Sequence, residues 1–327
     1  MASNDKLETK FIETFEEEIK RGKTNPEIVD LSTYKQKRLY QDYINKIIKL
    51  NPQEYFVTQM PEFKEEFFKI AGYLVLNIFG QEYFNEFQEL ILNNLYVNHS
   101  NVLFDGISLN FADQKDFKSV KQAIEIPDFT HVSSIVCLLH EFTHYICQKH
   151  NLTYNKKAYY EEILSIYVEK RALTILNEIL SLNNYTSKIE ETRLEAIKWH
   201  YTEHQQDLLG LKQIVEELHK ASKTDFFAKM NLEMMKKDIP QVESLERFNR
   251  LLQFYDNRSA SYGLGYLYSE SLLFHSLDDP FTLNKKFQQV LNTDITLEEL
   301  LRFYNINTSN KKVYDRVDSK LELIKRH

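Results

Sequence analysis

Glycine and proline are scarce in this chain, with 7 and 6 residues respectively among 327. Because proline breaks helices and glycine weakens them, a chain with so few of either favours long helices joined by few tight turns. Hydrophobic residues make up 43% of the chain, which is enough to bury a sizeable core. Apolar residues recur at three- and four-residue spacing through 40–50, 63–78, 84–95, 131–150 and 159–182. Further helical periods cover 187–220, 241–256, 258–276 and 296–325. The sequence therefore predicts a mainly α-helical fold.

One region, between residues 101 and 127, breaks the helical pattern. The apolar runs 102–104 and 107–111 flank Asp105-Gly106 and predict a β-hairpin, because Asp-Gly suits the positive φ angles of a tight turn. A second strand is expected at 123–126, before a proline. We therefore expect one small β-sheet in the chain. The expected organisation is an N-terminal helical lobe at 1–98 and a core with C-terminal helices at 99–327, or one compact domain that joins both.

Charge and hydropathy narrow the class of protein. The formal net charge is −7 and no concentrated basic patch is visible, so nucleic acid is not an expected partner. No stretch reaches the roughly 18 unbroken apolar residues of a membrane span, and residues 1–21 lack the apolar centre of a secretory signal. The expected compartment is the cytoplasm, although export by a specialised, signal-independent apparatus would leave no such trace. The two cysteines, Cys137 and Cys147, are expected to be reduced.

The strongest chemical signal is the segment His140-Glu141-Phe142-Thr143-His144. Two histidines four residues apart on a helix share one face, so both imidazoles can reach a single tetrahedral ion. Glu141 is rotated by about 100° from His140 and can contact a metal-bound water without displacing it. This arrangement is the H-E-x-x-H motif of zinc peptidases, in which the glutamate is the general base.

A catalytic zinc usually has a third protein ligand, and three carboxylates follow the motif: Glu161, Glu162 and Glu169. Glu162 and Glu169 are seven residues apart and lie on one helix face with Ser165 between them, whereas Glu161 points about 100° away. That face is too polar for an ordinary core stripe. The pattern suggests one ligand together with a carboxylate that orients a ligand histidine.

These two segments together resemble the thimet oligopeptidase and oligoendopeptidase F family of gluzincins. In that family the zinc-binding glutamate opens an E-x-x-S-x-x-x-E segment at about this distance from the second histidine. The resemblance, which covers about residues 100–275, implies one Zn²⁺ per chain held by His140, His144 and Glu162. It also implies that Glu169 and Ser165 support these ligands, and that the small sheet lies beside the active-site helix in a zincin-like core.

The resemblance also implies tyrosine hydroxyls, late in the chain, that bind the oxyanion of the reaction. The segment 261–270 is tyrosine-rich and contains two of the seven glycines, which allow close approach of a neighbouring helix. Tyr262 and Tyr266 are the candidates, with His275 as an alternative and Arg258 as the nearest upstream cation. The pair His200 and His204 has a metal-compatible spacing, but its glutamate is misplaced, so a solvated face is expected there.

The expected function is hydrolysis of a peptide or protein substrate by a zinc-dependent peptidase. Two enzyme hypotheses differ in the substrate: a general oligopeptidase, or a dedicated protease such as a toxin or effector with one protein target. A third hypothesis is a helical interaction protein with a vestigial motif. The sequence does not predict the oligomeric state, and the substrate is expected to bind along an edge strand at 107–111 or 123–126.

Overall fold

The structure, a computed structural model, describes residues 31, 34, 37–50, 63–93, 96–98, 107–110, 122–126, 131–150, 161–181, 183–278, 280–291 and 296–324. The first predicted strand of the hairpin, 102–104, and its turn lie outside these residues. In this part of the chain no helix is long and apolar enough to cross a membrane. Cys137 and Cys147 are both buried, and no disulfide joins them.

Helices account for most of the described residues, so the prediction of a mainly helical fold is confirmed. They are α1 (Arg38–Ile48), α2 (Phe67–Phe79), α3 (Gln81–Leu92), α4 (Val132–His150), α5 (Glu161–Leu180), α6 (Asn183–Tyr201), α7 (Glu203–Ala221), α8 (Phe226–Asp238), α9 (Leu245–Asp278), α10 (Pro280–Leu291), α11 (Leu297–Phe303) and α12 (Lys311–Ile324). Two short 3₁₀ segments, Lys64–Glu66 and Pro240–Glu243, precede α2 and α9.

Three short strands form a sheet in the order β1-β3-β2, with β1 at Tyr96–Asn98, β2 at Ile107–Asn110 and β3 at Gln122–Ile126. The central strand β3 pairs in parallel with β1 and antiparallel with β2. The expectation that 123–126 is an edge strand open to a substrate is therefore wrong, because both of its edges are paired, whereas β2 lies at an edge of the sheet. Ile124 and Ile126 of β3 are fully buried, and both β2 and β3 contact α4. The helix that carries the histidine motif is therefore covered by the sheet on one side.

The central core draws on every helix from α1 to α12 except α7 and α8, which pack in a smaller separate cluster, and most side chains of α4 are buried in the central core. The ring of Phe142, one residue after Glu141, is fully buried between Phe79 of α2 and Phe87 of α3, with centroid distances of 5.5 and 5.3 Å. Edge-to-face contacts of this kind stabilise aromatic pairs beyond the area that they bury. The apolar side of α4 is thus fixed in the core, which leaves its histidine side free to meet α5. The division into two lobes at residue 98 stays a prediction.

Two glycines let α9 pack unusually close to its neighbours. A Cβ atom on Gly265 would lie 3.1 Å from both the backbone carbon and the Cβ of Glu162, and 2.9 Å from Cδ1 of Ile166. A Cβ atom on Gly263 would lie 2.5 Å from the hydroxyl of Tyr40 in α1. A side chain in place of Gly265 would therefore crowd α5 where α9 crosses it, at the level of the predicted zinc ligand.

We expect the variant Gly265→Ala to lower the free energy of unfolding by about 1–3 kcal/mol, because the added methyl group overpacks the contact with α5. Gly210, in the exposed part of α7, is the matched control, since a Cβ atom there meets nothing within 4 Å. Gly210→Ala should raise the free energy of unfolding by about 0.5–1 kcal/mol through helix propensity. Urea unfolding of both variants measures the difference, and equal stabilisation by the two substitutions would contradict the close packing.

Candidate metal centre

The two motif histidines face each other across one turn of α4. Their Nε2 atoms are 3.1 Å apart, and the rings are inclined at 66° with centroids 4.8 Å apart. The side chain of His140 is 7% exposed and that of His144 is 14% exposed. Both imidazoles therefore present the same nitrogen to one small, nearly enclosed space.

Glu162, in the first turn of α5, completes this group from the opposite helix. Its Oε2 lies 3.6 Å from Nε2 of His140, and its Oε1 lies 3.7 Å from Nε2 of His144. One atom from each of the three residues can be chosen so that all lie within 4.8 Å of one another. These are the three residues that the sequence predicted as zinc ligands, and the structure brings their donor atoms together.

Two observations indicate that the side chains of His140, His144 and Glu162 fit a zinc ion. Zn–N bonds of about 2.0–2.1 Å at a tetrahedral angle place two nitrogens roughly 3.3 Å apart, close to the 3.1 Å between the two Nε2 atoms. In addition, Oε2 of Glu162 is buried and has no hydrogen-bond partner. An unsatisfied buried carboxylate oxygen is costly, and a cation between it and the two imidazoles would remove that cost.

The other ring nitrogen of each histidine contacts its own carboxylate. Nδ1 of His140 lies 2.5 Å from Oε1 of Glu169, and Nδ1 of His144 lies 3.3 Å from Oε2 of Glu161. A carboxylate on Nδ1 fixes the tautomer and the orientation of a ligand imidazole. The sequence predicted the Glu169 contact. It missed the one from Glu161, because a residue at the edge of a helix face can still reach a neighbouring helix.

Ser165 lies between the two glutamates of α5, as the spacing predicted. Its hydroxyl donates to the carbonyl of Glu161 at 2.8 Å and lies 3.2 Å from Nε2 of His144. The side chain is fully buried. Ser165 therefore borders the ligand group and ties it to the first turn of α5.

Arg193 of α6 is a component that sequence reasoning missed. Its Nε donates to Oε2 of Glu169 at 3.2 Å, and its Nη2 donates to Oε1 of the same carboxylate. The sequence did hold a signal: Arg193 stands between Ile189 and Ile197 at four-residue spacing, and both isoleucines are buried. A cation in the middle of an apolar helix stripe indicates a buried acidic partner.

Burial and charge shift the pKa values of the site in different directions. Burial raises the pKa of the Glu141 carboxyl, and the neighbouring histidines offset part of that rise. Burial would lower the pKa of His144, but the hydrogen bond to Glu161 and the charge of Glu162 raise it to about 9. Burial would raise the pKa of Glu169, but Arg193 and His140 lower it to about 2. The three shifts thus have one origin, the close packing of carboxylates, imidazoles and a guanidinium in a buried site.

The two candidate tyrosines occupy different surroundings. Tyr262 is half-buried beside the site, where its ring stacks on that of His200 with centroids 4.8 Å apart. Arg258 lies 3.5 Å from the Tyr262 hydroxyl, and burial together with the charge of Glu162 raises the pKa of that hydroxyl.

Tyr266 lies one turn further along α9 and is fully buried. Nζ of Lys170 sits 3.6 Å above the centre of its ring, and Lys170 is paired in turn with Glu270. The surroundings of Tyr266 are a buried ion network and not the group of His140, His144 and Glu162. Tyr262 is therefore the better placed of the two candidates for binding an oxyanion.

The side chains of His204 and His275 lie outside the described residues.

Known proteins share this fold. No family model matches the sequence, and no curated protein matches it. Among solved structures, the chain is similar to a candidate oligoendopeptidase F solved at 3.1 Å, with a TM-score of 0.55 and 12% identity over 90% of this chain and 57% of that one. For a candidate oligoendopeptidase F from Bacillus anthracis str. Ames, the TM-score is 0.50 and the identity 14%, over 91% of this chain and 56% of that one.

The resemblance to oligoendopeptidase F that the motifs indicate is therefore confirmed at the level of the fold. The chain spans a little more than half of the length of these solved structures.

We expect Glu162→Ala to lose stoichiometric zinc, because it removes the oxygen donors between the two imidazoles. Glu161→Ala is the matched control, since it removes a neighbouring carboxylate that contacts only the outer nitrogen of His144. This control should keep one zinc per chain with an affinity that is weaker by about 10–100-fold. Elemental analysis after gel filtration measures both. The opposite pattern, zinc kept by the Glu162 variant and lost by the Glu161 variant, would overturn the ligand assignment.

Proposed function

We propose that this chain is a zinc-dependent peptidase with a zincin-like catalytic core, in which His140, His144 and Glu162 hold one Zn²⁺. The observation that carries the proposal is the convergence of two Nε2 atoms with a buried carboxylate oxygen that has no other partner. A vestigial motif in an interaction protein has no need to keep such a costly group in place. The similarity of the fold to oligoendopeptidase F structures supports the same class of enzyme.

The chemistry of the bound metal is the usual one of zinc hydrolases. Zinc at this position supplies a Lewis acid that lowers the pKa of a coordinated water towards about 7 and polarises a carbonyl group. His140 and His144 of α4 and Glu162 of α5 would hold the ion, and three protein ligands are the number typical of a catalytic zinc. The residues of the chain then have to hold the substrate and move a proton.

Glu141 is the proposed general base. Its Oε1 lies 3.9 Å from Nε2 of His140, so the carboxylate borders the ligand group without belonging to it. Burial raises its pKa towards the working pH, which strengthens a carboxylate as a proton acceptor. In the proposed reaction Glu141 accepts the proton of the attacking water and then donates it to the leaving amine.

Tyr262 is the proposed oxyanion donor. Burial and the charge of Glu162 raise the pKa of its hydroxyl, which therefore stays protonated and able to donate a hydrogen bond. Stacking on His200 fixes the plane of the ring. A fixed neutral donor stabilises the negative charge that develops on the carbonyl oxygen in the transition state.

The proposed substrate is a peptide. The two enzyme hypotheses, an oligopeptidase and a protease with one protein target, differ in whether folded proteins are cleaved. A peptide library and a set of folded proteins, each incubated with the enzyme, separate them.

We expect Glu141→Gln to keep one zinc per chain and to lose at least about 100-fold in kcat, because the amide cannot accept the proton. Peptide-library cleavage followed by mass spectrometry measures the activity, and elemental analysis measures the zinc. Glu246→Gln is the matched control: it removes one carboxylate from the surface of α9, where the side chain is 78% exposed, and should leave activity unchanged.

The mechanism is contradicted if Glu141→Gln cleaves as fast as the wild-type protein. The assignment as a peptidase is contradicted if the zinc-loaded wild-type protein cleaves neither peptides nor folded proteins.

A further inference from the structure

Arg193 lies where burying a guanidinium group costs free energy. Its side chain is 21% exposed, and the residues one turn before and after it on α6, Ile189 and Ile197, are buried in the core. Placing a guanidinium there costs free energy of desolvation unless a paired charge compensates for it. The compensating charge is Glu169, which is itself only 6% exposed.

Arg193 and Glu169 form a bidentate contact, a fork in which two guanidinium nitrogens face the two carboxylate oxygens. Nε and Nη2 of Arg193 each donate to a different oxygen of Glu169. Two parallel hydrogen bonds fix the plane of the carboxylate as well as its position, which a single point charge does not achieve. Glu169 therefore has one defined orientation on α5.

The same carboxylate holds a proposed zinc ligand. Oε1 of Glu169 lies within hydrogen-bond distance of both Nη2 of Arg193 and Nδ1 of His140, at 2.5 Å from the latter. Because the ionised carboxylate only accepts hydrogen bonds, Nδ1 of His140 must donate, and the lone pair of the neutral ring is left on Nε2. That nitrogen faces Glu162 and His144.

The arrangement joins three helices in a line from α6 through α5 to α4. His144 has a looser counterpart, since Glu161 lies 3.3 Å from its Nδ1, and Glu161 is the first residue of α5. Of the two histidines, His140 is therefore held by the shorter contact, and its orientation depends on the fork between Arg193 and Glu169.

We propose that Arg193 is a positioning residue of the metal site, which fixes Glu169 with its guanidinium fork and through it orients His140 towards the metal. This inference rests on the proposed function, and it adds a third helix to the machinery that the histidine motif and α5 provide. Within the described part of the chain the hydrogen bonds of Arg193 go to Glu169, although its charge also acts on Glu162. Arg193→Lys keeps the charge without the fork and therefore separates the two effects.

The test uses zinc release as a readout that does not depend on activity. The wild-type protein and the variants Arg193→Met, Arg193→Lys, Glu169→Gln and Arg193→Met/Glu169→Gln are loaded with zinc, and transfer to excess chromogenic chelator is followed. Lys198→Met is the matched control: this lysine lies on the same helix, is 23% exposed, and donates to the carbonyl of Leu50 instead of to the site.

We expect Arg193→Met to release zinc about 10–100-fold faster than the wild-type protein, as for other residues that orient a ligand histidine. Arg193→Lys should fall between the two, because it restores the charge without the fork. The double variant should be no faster than Glu169→Gln alone, since both substitutions break the same line of contacts. At saturating zinc, Arg193→Met should lower kcat and leave KM unchanged. Lys198→Met should release zinc at the wild-type rate.

Unchanged zinc release by a folded Arg193→Met would overturn the proposal, and so would additive effects in the double variant. If Arg193→Met does not fold, Arg193→Lys decides: release at the wild-type rate would contradict a role for the fork. Failure of the proposed function would look different from failure of this proposal, because the wild-type protein itself would then bind no zinc or cleave no peptide.

Discussion

The proposed centre depends on one contact above all, the close packing of α5 between α4 and α9. The aromatic contacts of Phe142 fix α4 in the core, and Gly265 lets α9 press against α5 at Glu162. This packing places the first turns of α5 against the histidine face of α4, where the donor atoms of His140, His144 and Glu162 lie close together. A small displacement of α5 would separate the carboxylate from the imidazoles without unfolding either helix.

Charge balance is the second constraint on the site. Four carboxylates (Glu141, Glu161, Glu162 and Glu169) surround two imidazoles, and each has different surroundings. Glu169 is paired with Arg193, and Glu161 with His144. Glu162 has an unsatisfied buried oxygen, and burial raises the pKa of Glu141. One type of side chain thus supplies orienting groups, a proposed ligand and a proposed base, and the surroundings determine which is which.

The sequence predicted what depends on spacing within one helix. The shared face of His140 and His144, and the alignment of Glu162, Ser165 and Glu169, follow from 3.6 residues per turn. The contact of Glu161 with His144 depends on how α4 and α5 pack, and it was missed. Arg193 was missed as well, although its place between two buried isoleucines held a signal. Tyr262 and Tyr266 lie one turn apart, and their neighbours in the fold separate them: His200 stacks on the first ring, and Lys170 packs on the second. The periods at 241–256 and 258–276 indicated two segments where α9 is continuous from Leu245 to Asp278.

The central claim is that one zinc is held by two imidazoles and a carboxylate, and X-ray absorption at the zinc edge of the purified protein tests it most directly. The account predicts one zinc per chain with only nitrogen and oxygen neighbours at about 2.0–2.2 Å, two of them with the multiple scattering of imidazole. It also predicts that this imidazole signal is lost in the His140→Ala/His144→Ala variant. Sulfur neighbours at about 2.3 Å, which would implicate Cys137 or Cys147, or a wild-type protein without stoichiometric zinc, would contradict it.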